Sequence, residues 1–150
     1  MKKLATLCAG IVAIASLASC SGSKTVATIA DLNGEWNVTS IDGKAVTVPE
    51  NQESPFLGFD TSTGQLYGNA SCNSLMGSFQ TDAAPGVLDL SQTGATRMMC
   101  PDMSVEDALL GALSRVKGYD VTKSGEVELT DTQGHTVITL THRASTETTE

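Results

Sequence analysis

The sequence reads as a mainly β (α+β) domain, a small antiparallel β-barrel with one helix near residues 104–117. Three observations lead there. Short apolar runs recur between clusters of Gly, Asp, Ser, Thr and Pro, the punctuation of short strands and tight turns. Val127 and Leu129 alternate with Glu126, Glu128 and Thr130, and Ile138 and Leu140 alternate with Val137, Thr139 and Thr141, as expected of antiparallel strands with one buried face. One stretch alone has strong helical spacing. A barrel with the helix closing an end or flanking the wall leaves no sheet edge bare.

Composition is consistent with one folded domain. The 150 residues are 40% hydrophobic and 17% charged, too apolar for a disordered chain. Nine basic residues against 17 acidic ones give −8, which offers no basic surface for nucleic acid.

The N-terminal segment is the first element. Lys2 and Lys3 precede an apolar run from Leu4 to Leu17, whose helix would rise about 21 Å and fall short of a hydrocarbon core of about 30 Å. Basic start, short apolar run and small residues form a secretory signal over residues 1–19. Leu17-Ala18-Ser19-Cys20 resembles the lipobox of bacterial lipoproteins, which implies cleavage before Cys20 and a diacylglycerol on its sulfur. Cleavage removes two lysines and no acid, so the net charge moves from −8 to −10. Acyl chains, not the acidic domain, would then hold the protein at an anionic bilayer. Ser21 rather than Asp after the lipidated Cys points to the outer membrane. Residues 20–31 read as a lipidated tether, 32–143 as the domain and 144–150 as a disordered tail.

Within the domain, Leu32 to Ile41 is a strand containing Trp36, the sole Trp and a core anchor for the barrel floor. Asp42-Gly43 turns it into Ala45 to Val48, and Pro49 to Pro55 is loop. Phe56 to Asp60 and Gln65 to Ala70 flank Thr61 to Gly64 as a hairpin. Gly77 to Thr81 and Val87 to Leu90 flank Asp82 to Gly86 in the same way, followed by a strand from Ala95 to Cys100. The helix carries Val105, Ala108, Leu109, Ala112, Leu113 and Val116 on one stripe. Ser104 and Asp107 form a capping-box pattern, with Glu106 and Asp107 in the positive first turn, Arg115 and Lys117 in the last, and Gly118 at C′. Tyr119 to Thr122, Glu126 to Thr130 and Thr136 to His142 close the chain.

The four cysteines separate by position. Cys8 lies in the signal and Cys20 takes lipid, leaving Cys72 and Cys100. In an oxidising envelope the pair is most simply a disulfide, with two buried thiols or a metal site as alternatives. Cys72, Cys100, His135 and His142 lack the close-paired spacing of structural zinc modules. Met76, Met98, Met99 and Met103 lie near the cysteines and suit core filling, or the lining of a ligand site.

The landmarks Leu32-Asn33-Gly34-Glu35-Trp36, Gly68-Asn69-Ala70-Ser71-Cys72-Asn73, Gly77-Ser78-Phe79 and Ala95-Thr96-Arg97-Met98-Met99-Cys100, with an acidic helix start at Glu106, resemble the META domain, the HslJ-like family of bacterial envelope proteins. Trp36, Cys72, Asn73, Gly77, Thr96, Met98 and Cys100 are the motif positions. Ser71 departs from the family's usual Gly, and Phe79 from its frequent Tyr. The resemblance implies a lipocalin-like barrel with an added helix and a link to heat-shock, envelope-stress and antibiotic tolerance. It supplies no established catalytic activity.

Catalysis and cofactors are not expected. His135 and His142 are the only histidines, one in a turn and one at a barrel rim, and no G-x-S-x-G, H-E-x-x-H or phosphate loop occurs. The expected function is that of a non-enzymatic, monomeric envelope lipoprotein, bound to the membrane through Cys20 and contacting an envelope protein. Alternatives are a carrier of a small apolar ligand, or an inhibitor of a basic hydrolase such as lysozyme, which the negative charge would attract.

Overall fold

The computed structural model describes residues 27–144; the signal, Cys20 and residues 145–150 lie outside the described residues. Nine strands follow one another as β1 (Gly34–Ile41), β2 (Lys44–Ala45), β3 (Phe56–Asp60), β4 (Gln65–Asn69), β5 (Ser74–Ser78), β6 (Gly94–Ala95), β7 (Gly118–Val121), β8 (Val127–Thr130) and β9 (Thr136–His142), with helix α1 (Ser104–Leu113) between β6 and β7. All pairings are antiparallel, in the order β6-β5-β4-β3-β1-β9-β8-β7 with β2 added to β1. Trp36, Val38, Leu57, Phe59, Leu66, Leu75, Tyr119, Val127, Leu129, Ile138 and Leu140 turn into one buried cluster, which Leu109, Ala112 and Leu113 of α1 join.

The expected barrel does not close. β6 and β7 end the sheet, and no ladder joins them. The chain that could have bridged them is used otherwise. Val87 makes one bridge to Gly118, and the segment Val87 to Leu90 forms no strand. Leu88 and Leu90 are almost wholly buried in the common core instead. Leu88 N donates to Lys117 O and Tyr119 N to Gly86 O, so this segment lines the β7 edge without extending the sheet.

Other boundaries also move. β5 begins three residues before the expected Gly77, because Asn69 and Ser74 pair across a Ser71–Asn73 turn. The strand expected over Ala95 to Cys100 contributes only Ala95 to a ladder with β5, and β2 is shorter than Ala45 to Val48. Residues assigned to the tether are structured: Ala27 is buried, Thr28 N and Oγ1 both donate to the Asp31 carboxylate, and a 3-10 turn spans Ile29–Leu32.

The helix ends at Leu113, not 117. Arg115 N and Val116 N bond three residues back, and Lys117 N reaches Thr130 O, drawing the chain into β7. Val116 stays buried, so its place on the apolar stripe holds although the α-helix does not. Gly118 starts β7 and is not a helix cap. Ser104 is not the cap either: Met103 is the N-cap residue, and the Asp102 carboxylate accepts from Ser104 N at 2.8 Å. A hydrogen bond from the Ser104 side chain, together with this backbone bond, holds the Asp102 carboxyl below its ordinary range. Arg115, past the helix end, donates from Nε to Gly111 O and from Nη2 to both carboxylate oxygens of Asp42 in the β1–β2 turn.

Lys117 Nζ meets Asp89 at 2.7 Å, tying the Val87–Leu90 segment to the base of β7 and holding the Asp89 carboxyl at about 2. A carboxyl lowered on folding stabilises the protein above its unfolded value and loses that contribution as pH falls through the folded value. The pair is largely exposed, so its worth is small. We expect Asp89→Asn to cost about 0.5 kcal/mol at pH 7. The difference from the parent should fade between about pH 4 and pH 2 in paired thermal melts.

Candidate functional site

The motif positions converge where the β4–β5 turn meets the chain leading into α1. Asn69 Oδ1 accepts from Ser71 N at 2.6 Å, while Ala70 N donates to Asn73 O, folding the turn back on itself. Ser71 adopts φ +89°, a conformation that favours glycine. This explains the glycine usual in the resembling family, and here the Asn69 bond and a Ser71 Oγ to Gln52 bond of 2.9 Å hold the strained residue. Gln52 Nε2 in turn donates to Asp102 O, fastening the loop before β3 to the entrance of the helix.

Cys72 and Cys100 are disulfide-bonded, with Cα atoms 6.0 Å apart. The bond brings the turn and the 96–100 segment together. Beside it, Asn73 is wholly buried and uses its amide completely. Its Oδ1 accepts from Thr96 Oγ1 at 2.8 Å and Met98 N at 2.7 Å. Its Nδ2 donates to Met98 O at 3.0 Å and to the Glu106 carboxylate at 2.9 Å. Asn73 N donates to Glu106 Oε2 at 2.9 Å, and Ser74 N to Thr96 Oγ1. Only a side chain with a donor and an acceptor on one plane can clasp a strand edge and a carboxylate together, so Asp or Leu cannot replace Asn. Glu106 is buried, and both its oxygens are engaged by Asn73. Its partner is the feature that sequence reading missed. The helical position of Glu106 suggested only a favourable dipole, whereas its burial depends on a residue 33 positions away.

The remaining motif residues have structural work. Trp36 is buried, and its Nε1 donates to Leu32 O at 2.8 Å, holding the 3-10 turn against the core. Its ring meets His142 edge-on at 5.2 Å, and His142 lies exposed at the end of β9. Gly77 lets the Gln92–Thr93 turn come close; a Cβ there would meet Thr93 Cα at 3.2 Å. Thr96 and Met98 act on Asn73 as described.

The methionines correct the expectation of core filling. Met76, Met98 and Met99 are 57%, 59% and 90% exposed, so Met98 serves the clasp through its backbone while its thioether faces solvent. Met103 is partly buried, its Sδ accepting from Cys100 N at 3.5 Å. On the outer face, Glu35, Gly58, Tyr67, Met76 and Gly94 form one row across five strands. Tyr67 covers Gly58, and burial together with the nearby Glu35 carboxylate pushes its phenol up. Arg143 stacks on Phe56 at 4.0 Å in the neighbouring row.

No catalytic arrangement is built from these groups. His135 Nδ1 lies 3.4 Å from Asp131, but the imidazole is mostly exposed in its turn, and backbone bonds from His135 and Gln133 hold the Asp131 carboxyl low. Ser71 Oγ bonds Gln52 rather than a histidine. Among the described residues, no three His, Cys, Asp or Glu side chains gather as metal ligands do.

A family model described as META domain matches residues 27–144. The NMR structure of a protein from Burkholderia xenovorans is similar, at 26% identity and a TM-score of 0.54, over 76% of this chain and 84% of that one. Among curated proteins none matches.

Asn73→Ala would leave the buried Glu106 carboxylate with only the backbone N–H of residue 73 and would strand two backbone groups of Met98. A loss of about 3–5 kcal/mol in urea unfolding is expected. Asn73→Ala with Glu106→Ala should cost less than the two single changes added together. Removing the disulfide with Cys72→Ala and Cys100→Ala should cost about 3.5 kcal/mol by the same measurement.

Proposed function

Because the chain belongs to the META domain family, we propose that it is a non-enzymatic lipoprotein of the bacterial cell envelope. In this reading a lipid on Cys20 anchors it at the outer membrane, and its folded domain supports envelope integrity under stress by binding another envelope protein. The META domain is not a known enzyme family. The observation that carries the binding role is the placement of Met98 and Met99. Both belong to the segment held by the most highly bonded polar side chain of the domain, yet their thioethers stand in solvent. Exposed large apolar side chains on a rigid support mark contact surfaces. The inward-facing side chains, in contrast, gather into one buried cluster, which favours surface contact over an apolar cargo held inside the sheet.

The reading is tested in the native envelope. Mature protein should carry a diacylglycerol on Cys20 by mass spectrometry, and Cys20→Ser should move it from the membrane to the soluble fraction. An intact precursor in the cytosol overturns the anchor. Unaltered stress sensitivity after deletion of the protein overturns the role in envelope integrity.

A further inference from the structure

Met98 and Met99 follow closely on β6, the two-residue strand that ends the sheet. Gly94 pairs with Met76 and Ala95 with Leu75 in the β5–β6 ladder. Past β6 the same pattern continues: Thr96 N donates to Ser74 O at 3.0 Å, and both backbone groups of Met98 bond the Asn73 amide. Residues 94 and 96 thus turn their backbone groups towards β5, and residue 98 turns its own towards the Asn73 side chain just before it. Alternation along an extended chain turns those of Ala95, Arg97 and Met99 the opposite way. No described strand lies on that side, because β6 ends the sheet. The side chains from Thr96 to Met99 are all exposed, and the disulfide at Cys100 pins the end of the segment.

We propose that residues 95–99 are a docking edge for an extended segment of another protein, which adds a strand beside β6 and places a carboxylate near Arg97. The proposal deepens the protein-binding reading above and rests on it. Main-chain bonds would supply affinity, and the exposed Met98 and Met99 side chains would flank the added strand. The charge of Arg97 decides the occupant. Among the described residues no carboxylate pairs with it, so a cation stands unopposed on the edge of a chain whose net charge is −8. A second copy is the poorer fit. Antiparallel self-pairing centred on this edge brings two Arg97 side chains together, and it also brings two acidic molecules into contact. A strand carrying a carboxylate among β-branched residues meets the opposite condition.

The test uses the full chain in detergent micelles and the synthetic peptide acetyl-Thr-Val-Glu-Val-Thr-amide. Hydrogen–deuterium exchange should slow at residues 95–99 when the peptide is added. The same peptide with its bonding-edge amides N-methylated should lose binding, since its side chains are unchanged but its ladder is broken. Replacing the central Glu of the peptide by Lys should weaken binding about 2- to 5-fold, and Arg97→Glu, checked for folding by circular dichroism, should reverse that preference. Equal binding of the N-methylated peptide, or unchanged exchange at 95–99, overturns the proposal. So does sedimentation showing a dimer whose contact protects the same residues. A silent edge leaves lipidation of Cys20 and the stress phenotype untouched, and a protein without lipid still reports on the edge, so the two readings fail separately.

Discussion

The Asn73 side chain is the point through which three parts of this domain are held together. It is buried in a place where its polar atoms cannot reach bulk water, so each of them has to find a partner within the protein. It finds them on Thr96, Met98 and Glu106, and thereby joins the β4–β5 turn, the segment after β6 and the first turn of α1. Burying a carboxylate is costly unless it is well bonded, and Glu106 is accommodated because Asn73 offers it both a backbone and a side-chain donor. The disulfide closes the same junction covalently. One polar cluster and one sulfur bond therefore tie the β6 end of the sheet to the start of the helix.

This arrangement explains why the sheet can remain open. Closure removes sheet edges, but it also requires that the end strands be long enough to meet and hydrogen-bond. β6 contributes two residues and Val87 makes a lone bridge, so there is too little extended chain to join the ends. The core is completed by side chains instead: Leu88 and Leu90 from the connecting segment, and Leu109, Ala112 and Leu113 from the helix, pack with the residues turned inward by the sheet. Burial of this apolar surface, which does not depend on ladder continuity, supplies the main favourable contribution to folding. The segment after β6 is held by the Asn73 side chain through the backbone of Met98, which links the stability of the fold to the surface it presents.

Local signals in the sequence were readable wherever one short window contained both cause and effect. Phe56 to Asp60 was bounded by Pro55 on one side and by a polar turn on the other, and it is β3 without change. The alternation over Glu126 to Thr130 and Thr136 to His142 placed β8 and β9 to within a residue. The helix was recognisable from its stripe, although its end was not: Val116 continues the apolar spacing, whereas Lys117 N is taken by Thr130, a partner that periodicity cannot reveal. Asn73, Thr96, Met98 and the two cysteines were recognised as a set by resemblance. What each of them does was hidden, because Asn73 and Glu106 are far apart in the chain and neither has an unusual neighbour. Met98 shows the same gap in reverse. Its place near the cysteines suggests core filling, yet its contribution is made by backbone atoms that any residue possesses.

The sequence by itself determined the class of the domain, its antiparallel strands, its single helix and the pairing of Cys72 with Cys100 as the simplest state. These follow from hydrophobic period, turn chemistry and cysteine arithmetic, which act over a few residues or on the chain as a whole. Only the tertiary structure decided that the sheet stays open, that Glu106 is a buried partner rather than a surface acid, and that three methionines face solvent. Those outcomes depend on which distant segments compete for the same space and the same hydrogen-bond partners. That competition is settled by packing in three dimensions, and no window of the sequence contains all of its participants.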